Sequence, residues 1–180
     1  MRNIELAYLF VAASMIWVMV RSTKGKKFPT FSHISTGAKV ARTAFFWGLF
    51  IAAILFALLM YTWFIPHFSL GNSFLVLTFL LTISQMLTGL FPTDAKYLGK
   101  LHTLFGSILA LSMFTLLAAF AWTVMVPVSA RIVCGIAAAC MVTAFISTPW
   151  TLKNSKHILL HEGVFFGIWH AAILLTAYIA

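Results

Sequence analysis

Six long apolar stretches, separated by short polar segments, account for most of this 180-residue chain. Each stretch holds about 20 mostly apolar residues, the length that a helix needs to cross the hydrocarbon core of a bilayer. The stretches are continuously apolar and do not alternate at every second residue, so the pattern predicts helices and not strands. We therefore predict an all-α membrane bundle of six transmembrane helices in one domain. The predicted spans cover residues 4–20, 41–63, 70–91, 102–124, 126–146 and 158–180.

Composition supports the same class of protein. The chain is 62% hydrophobic and only 8% charged, whereas soluble domains carry roughly 25% charged residues. A net charge of +9 would suit nucleic-acid binding, but the cations lie in short segments between apolar stretches. The usual excess of Lys and Arg on the cytoplasmic side of membrane proteins explains that distribution. We therefore expect no nucleic-acid partner.

The cations also predict the orientation of the chain. Ten of the twelve Lys and Arg residues fall between spans one and two, three and four, or five and six, if Arg42 at the edge of span two is included, and the exceptions are Arg2 and Arg131. The positive-inside rule then places these three segments in the cytoplasm and both termini on the non-cytoplasmic side. The predicted location is the inner (cytoplasmic) cell membrane, with multiple passes. Cations near the surface also attract anionic lipids of the cytoplasmic leaflet.

Aromatic residues fit this orientation. Trp63 and Trp122 mark predicted outer ends, whereas Trp17, Trp47 and Trp150 lie near inner ends, as interfacial rings prefer. Trp169 is the exception, because it lies near the middle of span six. The longest connection covers residues 21–40, where Phe28, Phe31 and Ile34 are interpreted either as lying along the membrane surface or as part of a solvated loop.

Polar residues within or beside the spans predict a site near the cytoplasmic face. Asp94 follows span three and His102 opens span four, while His161 and Glu162 lie at the start of span six. Ionisable side chains are costly in the membrane, so their presence at similar depth favours a function. The alternative is structural: Asp94 caps the next helix, and His102 is an interfacial histidine. His157 and His161 lie one helical turn apart, a spacing that suits metal ligation, but the motif does not match the zinc-protease signature.

Span six also predicts a close helix contact. Gly163 and Gly167 form a pair of small residues four positions apart, a pattern that lets transmembrane helices approach closely. His170 falls on nearly the same face of the helix. We expect this face to pack against another helix and His170 to be buried near mid-membrane, where it either forms a hydrogen bond with a neighbour or binds a ligand.

The segment from Thr88 to Asp94 (TGLFPTD), followed by His102, resembles an uncharacterised family of bacterial and archaeal membrane proteins, domain-of-unknown-function family 998. Members of this family look similar in showing a Gly-x-Phe-Pro-x-Asp segment and a histidine that opens the next helix. The resemblance covers about 25 residues closely and the six-span pattern loosely. It implies a six-span fold and draws attention to Asp94 and His102, but it implies no reaction.

Three functions are compatible with these patterns. The first is an accessory or scaffolding subunit of a membrane complex, whose aromatic and small-residue faces contact lipid or partner helices. The second is a membrane enzyme that acts on lipid at the cytoplasmic leaflet, with His102 or His161 as general base. Asp94 or Glu162 would then orient that base or help to hold a metal. The third is a haem protein with His102 and His161 as paired ligands. The sequence identifies no cofactor.

Overall fold

The computed structural model of the chain describes residues 2–22, 31–91, 98–152 and 158–179, and every regular element in these ranges is helical. The all-α prediction is confirmed. In chain order the elements are α1 (Arg2–Ser22), α2 (Phe31–Thr36), α3 (Lys39–Leu59), a π-helical turn (Met60–Phe64), α4 (Ile65–His67), α5 (Asn72–Leu90), α6 (Leu98–Trp122), α7 (Val128–Leu152) and α8 (Ile158–Ile179). Each predicted span falls on one of these helices, with ends shifted by a few residues.

The long helices indicate a multi-pass membrane protein. Within the described residues, the segments long and apolar enough to cross a membrane are Lys39–His67, Asn72–Leu90, Leu98–Trp122, Val128–Ser147 and Glu162–Ile179. The apolar part of α1, Leu6–Ser22, is shorter. At most 39% of the most apolar part of any of these five segments is buried inside the bundle. Most of their apolar surface therefore faces outward, where lipid and not water is a suitable solvent.

Helices that follow one another in sequence pack side by side. The packed pairs include α1 with α3, α3 with α5, α5 with α6, α6 with α7, and α7 with α8, while α2 lies against α3. We define the basic end of the bundle as the end that holds Arg21, Lys39, Arg42 and Lys100. The opposite end is the one that holds Trp63, Trp122 and Arg131.

Pro66 does not end the helix at the predicted boundary of residue 63. Proline lacks an N–H group, and its ring clashes with the carbonyl four residues earlier in an α-helix. The π-helical turn directly precedes this proline, and the N–H of Ile65 bonds to the Met60 carbonyl five residues back. Such a bulge shifts the hydrogen-bond register, so the helix continues through Pro66 to His67. Likewise, α7 continues beyond the predicted end of span five at residue 146 and past Pro149, as far as Leu152.

The turn after α4 is closed by two backbone hydrogen bonds. The Ser69 N–H donates to the Pro66 carbonyl at 3.2 Å, and the Leu70 N–H donates to the Ile65 carbonyl at 2.9 Å. These two bonds form a Schellman motif, which requires a left-handed residue at the position that Ser69 occupies. Ser69 has φ = 49°, a conformation that normally favours glycine.

The main hydrophobic core lies in the half of the bundle nearer the opposite end. Its central side chains have no exposed surface, and they include Phe56, Phe64, Leu116, Leu117 and Phe120. The Phe120 ring packs against Phe64 and Phe74, with ring centroids 5.3 and 5.2 Å apart. Contact between these rings joins α5, α6 and the π-helical turn.

A smaller buried cluster lies at the basic end and is formed by Met19, Ile34, Ala41 and Phe45. Ile34 is only 4% exposed because α2 places it against α1 and α3. Its predicted positions along the membrane surface or in a solvated loop are therefore wrong. Phe28 lies outside the described residues, as does the side chain of Phe31.

Candidate functional site at the basic end

The buried face of α5 carries polar side chains towards the basic end. Ser84, Gln85 and Thr88 are buried there and follow helical spacing. The Gln85 side-chain amide donates to the Leu49 carbonyl of α3 at 3.2 Å, which joins the two helices. The Ser84 and Thr88 hydroxyls instead donate to carbonyls of their own helix. The hydroxyl groups are thus satisfied locally, and the amide makes the link between helices.

His102, near the start of α6, caps the end of α5. Its Nδ1 lies 2.8 Å from the Phe91 carbonyl oxygen and 3.0 Å from that of Thr88. Carbonyl oxygens only accept hydrogen bonds, so Nδ1 must carry the proton. The last carbonyls of a helix have no partners within the helix, and the imidazole supplies one. In the neutral ring, Nε2 then retains its lone pair and can act as a base or a ligand.

Among the other predicted site residues, the structure describes the side chain of Glu162 only. Glu162 lies near the start of α8, is half-buried and takes part in an interaction. His161 is on the same helix, but its side chain lies outside the described part, as do Asp94 and His157. A site composed of Asp94, His102, His161 and Glu162 therefore stays a prediction. Among the described residues, no three His, Cys, Asp or Glu side chains lie close enough together to hold a metal ion.

An open groove lies between α3 and α5 at the basic end, and sequence reasoning missed it. Its volume is about 590 Å³. We call it the basic groove, and its lining residues are Lys39, Arg42, Thr43, Phe46, Trp47, Gly89 and Leu90. The signal was present in α3, where two cations, a hydroxyl and an aromatic ring recur at intervals of three or four residues. The contribution of α5 could not be read from sequence, because it depends on which helices are neighbours.

A second polar group lies deeper in the bundle, around His170. Its Nδ1 donates to the Phe166 carbonyl of the same helix at 2.6 Å, and its ring stacks on Tyr8 of α1 with centroids 5.0 Å apart. Trp169 is completely buried and packs against Phe56. The indole N–H of Trp169 has no hydrogen-bond partner in the described structure.

The predicted close packing at Gly167 is wrong within this chain. Gly167 is exposed, and a Cβ atom added there would have no described atom within 4 Å. His170 reaches Tyr8 because it lies about 60° away from Gly167 around α8. The expected hydrogen bond from His170 to a neighbouring helix is not seen: the side chain is half-buried and its Nδ1 donates to a backbone carbonyl of its own helix.

Arg131, a cation at the opposite end, has a structural role. Its Nε donates to the Ala121 carbonyl at 3.1 Å. Ala121 is in the last turn of α6, where backbone carbonyls lack partners and positive charge is favourable. This capping contact gives a reason for a cation on the side of the bundle where the sequence has few.

Comparisons with known proteins add no assignment. No protein-family model matches the chain, and no curated protein or solved structure is significantly similar to it. The resemblance to domain-of-unknown-function family 998 therefore stays a prediction, and the second half of its Gly-x-Phe-Pro-x-Asp segment, residues 92–94, lies outside the described residues.

Proposed function

We propose that the protein is a six-span subunit of a complex in the inner membrane, with an accessory or scaffolding role and both termini on the non-cytoplasmic side. The pairing of α1 with α3 supports the sixth span. Tyr8 contacts Phe56, with ring centroids 6.3 Å apart, Met15 lies against Gly48, and Met19 shares a cluster with Phe45. The two helices therefore run antiparallel along much of their length, so α1 reaches the same depths as a spanning helix.

The distribution of charge supports the proposed orientation. Arg21, Lys39, Arg42 and Lys100 all lie at the basic end, which the positive-inside rule assigns to the cytoplasm. Arg131 lies at the opposite end but is engaged in capping α6. A cysteine-containing tag placed before residue 1 tests both the sixth span and the membrane orientation. It is expected to react with a membrane-impermeant reagent on intact cells, as is Ser69→Cys, whereas Lys100→Cys is expected to react only after permeabilisation. These thiol measurements require a background without Cys134 and Cys140.

Gly167 carries the proposal that the protein works as a subunit. It leaves an exposed gap on α8 that no described side chain of this chain fills. Small residues at such positions allow a second transmembrane helix to approach closely, which is how helices associate where lipid offers no hydrophobic driving force. Val164 and Leu175 on the same helix are 47% and 49% exposed, so apolar side chains are available beside the gap. We propose a partner membrane helix as the occupant.

Photocross-linking in cells tests this role with a matched control. Gly106 on α6 also has no described atom within 4 Å of an added Cβ, but it is half-buried, whereas Gly167 is exposed and open to a second helix. A photoreactive residue at position 167 is expected to cross-link to a membrane partner, while the same residue at 106 is not. Gly167→Leu is expected to reduce recovery of that partner, and Gly106→Leu is expected to leave it unchanged. Equal cross-linking at both positions, or none at either, would count against a partner at this face.

A second candidate function, catalysis on lipid, is favoured by the tautomer of His102. Because Nδ1 donates to two carbonyls, Nε2 can serve as a general base. His102→Asn retains a donor near the Nδ1 position but removes the base, whereas His102→Ala removes both. If the protein is an enzyme, the Asn variant accumulates as folded protein but changes the cellular lipid profile. A wild-type profile with normal accumulation would leave His102 as a cap alone.

A further inference from the structure

We infer that the basic groove binds one anionic phospholipid, with its phosphate at Lys39 and Arg42 and an acyl chain along Phe46 and Trp47. This inference rests on the proposed membrane orientation only for assigning the lipid to the cytoplasmic leaflet. It goes beyond a general attraction of basic loops to acidic membranes, because it names one site and the side chains that form it. Three observations about the groove support it.

The first observation is the order of side chains along α3. Lys39 and Arg42 are exposed at the start of the helix, Thr43 follows, and Phe46 and Trp47 come one turn later. These positions follow the spacing of one helical face, over a rise of about 10 Å from Lys39 to Phe46. A phospholipid presents its groups in the same order, from charged phosphate through polar ester groups to hydrocarbon. A soluble phosphate would use only the first part of the groove.

The second observation is the positive charge at the mouth of the groove. Neither Lys39 nor Arg42 forms an ion pair within the described part of the chain, and the whole sequence holds only three acidic residues. The start of α3 adds to this charge, since its N-cap is Ala38, which offers no side-chain acceptor to the first N–H groups. A helix N-terminus favours an anion. The planar guanidinium of an arginine, beside a lysine, can also donate to two oxygens of one phosphate group.

The third observation is the shape of the groove where α3 and α5 meet. A Cβ added at Gly89 would lie 3.3 Å from Leu49 Cβ and 3.5 Å from the Phe46 carbonyl oxygen. The absence of a side chain at this position keeps the two backbones close together. The groove is therefore bounded by helix backbone on its inner side. Trp47 and Leu90 are 52% and 54% exposed, and they offer apolar surface to an acyl chain.

Lipid binding by the purified full-length protein in detergent tests the inference. The probes are phosphatidylglycerol, phosphatidylcholine, glycerol phosphate and inorganic phosphate, each titrated and followed by native mass spectrometry. Wild-type protein is expected to bind phosphatidylglycerol in preference to phosphatidylcholine. Lys39→Gln with Arg42→Gln is expected to weaken phosphatidylglycerol binding about 30-fold, and each single substitution about fivefold. The single substitutions keep the test usable if the double variant does not fold.

The matched control is Arg21→Gln with Lys100→Gln, which removes the same charge from exposed positions at the basic end outside the groove. This control is expected to retain wild-type binding. Equal losses in the two double variants would indicate general surface attraction and overturn the inference, as would no loss in either. Comparable binding of glycerol phosphate would identify a soluble phosphate compound as the occupant, which also overturns it.

Failure of the lipid-binding inference can be distinguished from failure of the proposed function. Membrane sides do not exist in detergent, so an inverted orientation would leave phosphatidylglycerol binding intact while changing the thiol labelling. Conversely, failure to bind phosphatidylglycerol would leave the labelling pattern and the cross-linking at position 167 unchanged.

Discussion

The two ends of the bundle differ in what holds neighbouring helices together. At the opposite end, Phe64, Phe74 and Phe120 form a buried aromatic group with ring centroids 5.2 to 5.3 Å apart. At the basic end, α3 and α5 are joined by the Gln85 amide, and α5 is joined to α6 by the His102 imidazole. The basic groove lies beside these polar links.

This difference suggests a division of labour between stability and binding. Aromatic packing gains many small dispersion contacts and leaves little room for a ligand. Polar links hold helices at particular points, and they leave an open surface between those points. Regions that bind partners or lipids are commonly drawn from the less tightly packed parts of a protein. We therefore expect changes at the opposite end to alter stability most, and changes in the basic groove to alter binding most.

The largest expected effect is that of Phe120→Ala. Phe120 is fully buried and contacts two other rings, so truncation leaves a cavity and is expected to lower the free energy of unfolding by about 3–5 kcal/mol. Phe46→Ala removes the same atoms from the half-buried wall of the basic groove and is expected to cost about 1 kcal/mol or less. Unfolding by SDS in mixed micelles measures both. Similar losses at the two sites would contradict the division of labour.

Much of the fold followed from hydropathy. Continuous apolar stretches of bilayer length predicted the long helices, because lipid leaves a backbone few alternatives to a helix. The ends were less predictable. Span two was predicted to end at residue 63, but the π-helical turn before Pro66 lets the helix continue to His67. Trp169 did not fit the interfacial pattern because it packs in the core against Phe56, a contact between helices that are far apart in sequence.

The candidate site was predicted less well. The sequence drew attention to His102, but its contacts with the Thr88 and Phe91 carbonyls depend on how α6 meets α5. The groove illustrates the same problem. From the sequence, Lys39 and Arg42 were used only to predict the membrane orientation. The sequence of α3 does not show that Gly89 of α5 lies opposite these residues. Spacing along one helix is visible in sequence, whereas the choice of neighbouring helix is not.

A smaller effect is expected from Gly48→Ala, where α1 crosses α3. The new Cβ would lie 2.5 Å from Met15 Cγ and 2.7 Å from Met15 Cβ, so either the methionine or the helix must move. We expect a loss of about 1–2 kcal/mol. Gly167→Ala is the comparison, because a Cβ added at Gly167 has no described atom within 4 Å. Its effect measures the gain in helix propensity alone, which is up to about 1 kcal/mol.

A double-mutant cycle with Met15→Ala sharpens this test. If the clash with Met15 causes the loss, Gly48→Ala should be better tolerated when Met15 is already truncated, because the space is then free. Additive losses in the double variant would show that α1 and α3 do not approach at these residues. The antiparallel pairing that supports the sixth span would then lose one of its contacts.

The smallest expected effect has the opposite sign and lies in the turn between α4 and α5. Ser69 holds a left-handed conformation at φ = 49°, which costs a residue with a side chain about 1 kcal/mol or more but costs glycine nothing sterically. Part of the gain from Ser69→Gly is lost to the greater freedom of glycine in the unfolded chain. A net increase of about 0.5 kcal/mol in the free energy of unfolding is expected.

Ser107→Gly is the control, because Ser107 is exposed within α6 and glycine there should cost about 0.5 kcal/mol. Thermal unfolding in detergent compares the two variants, whose shifts are expected to have opposite signs. A loss of stability in both would mean that the two hydrogen bonds of the Schellman motif do not hold the turn in solution. The stability of the opposite end would then come from its aromatic packing, without a contribution from this turn.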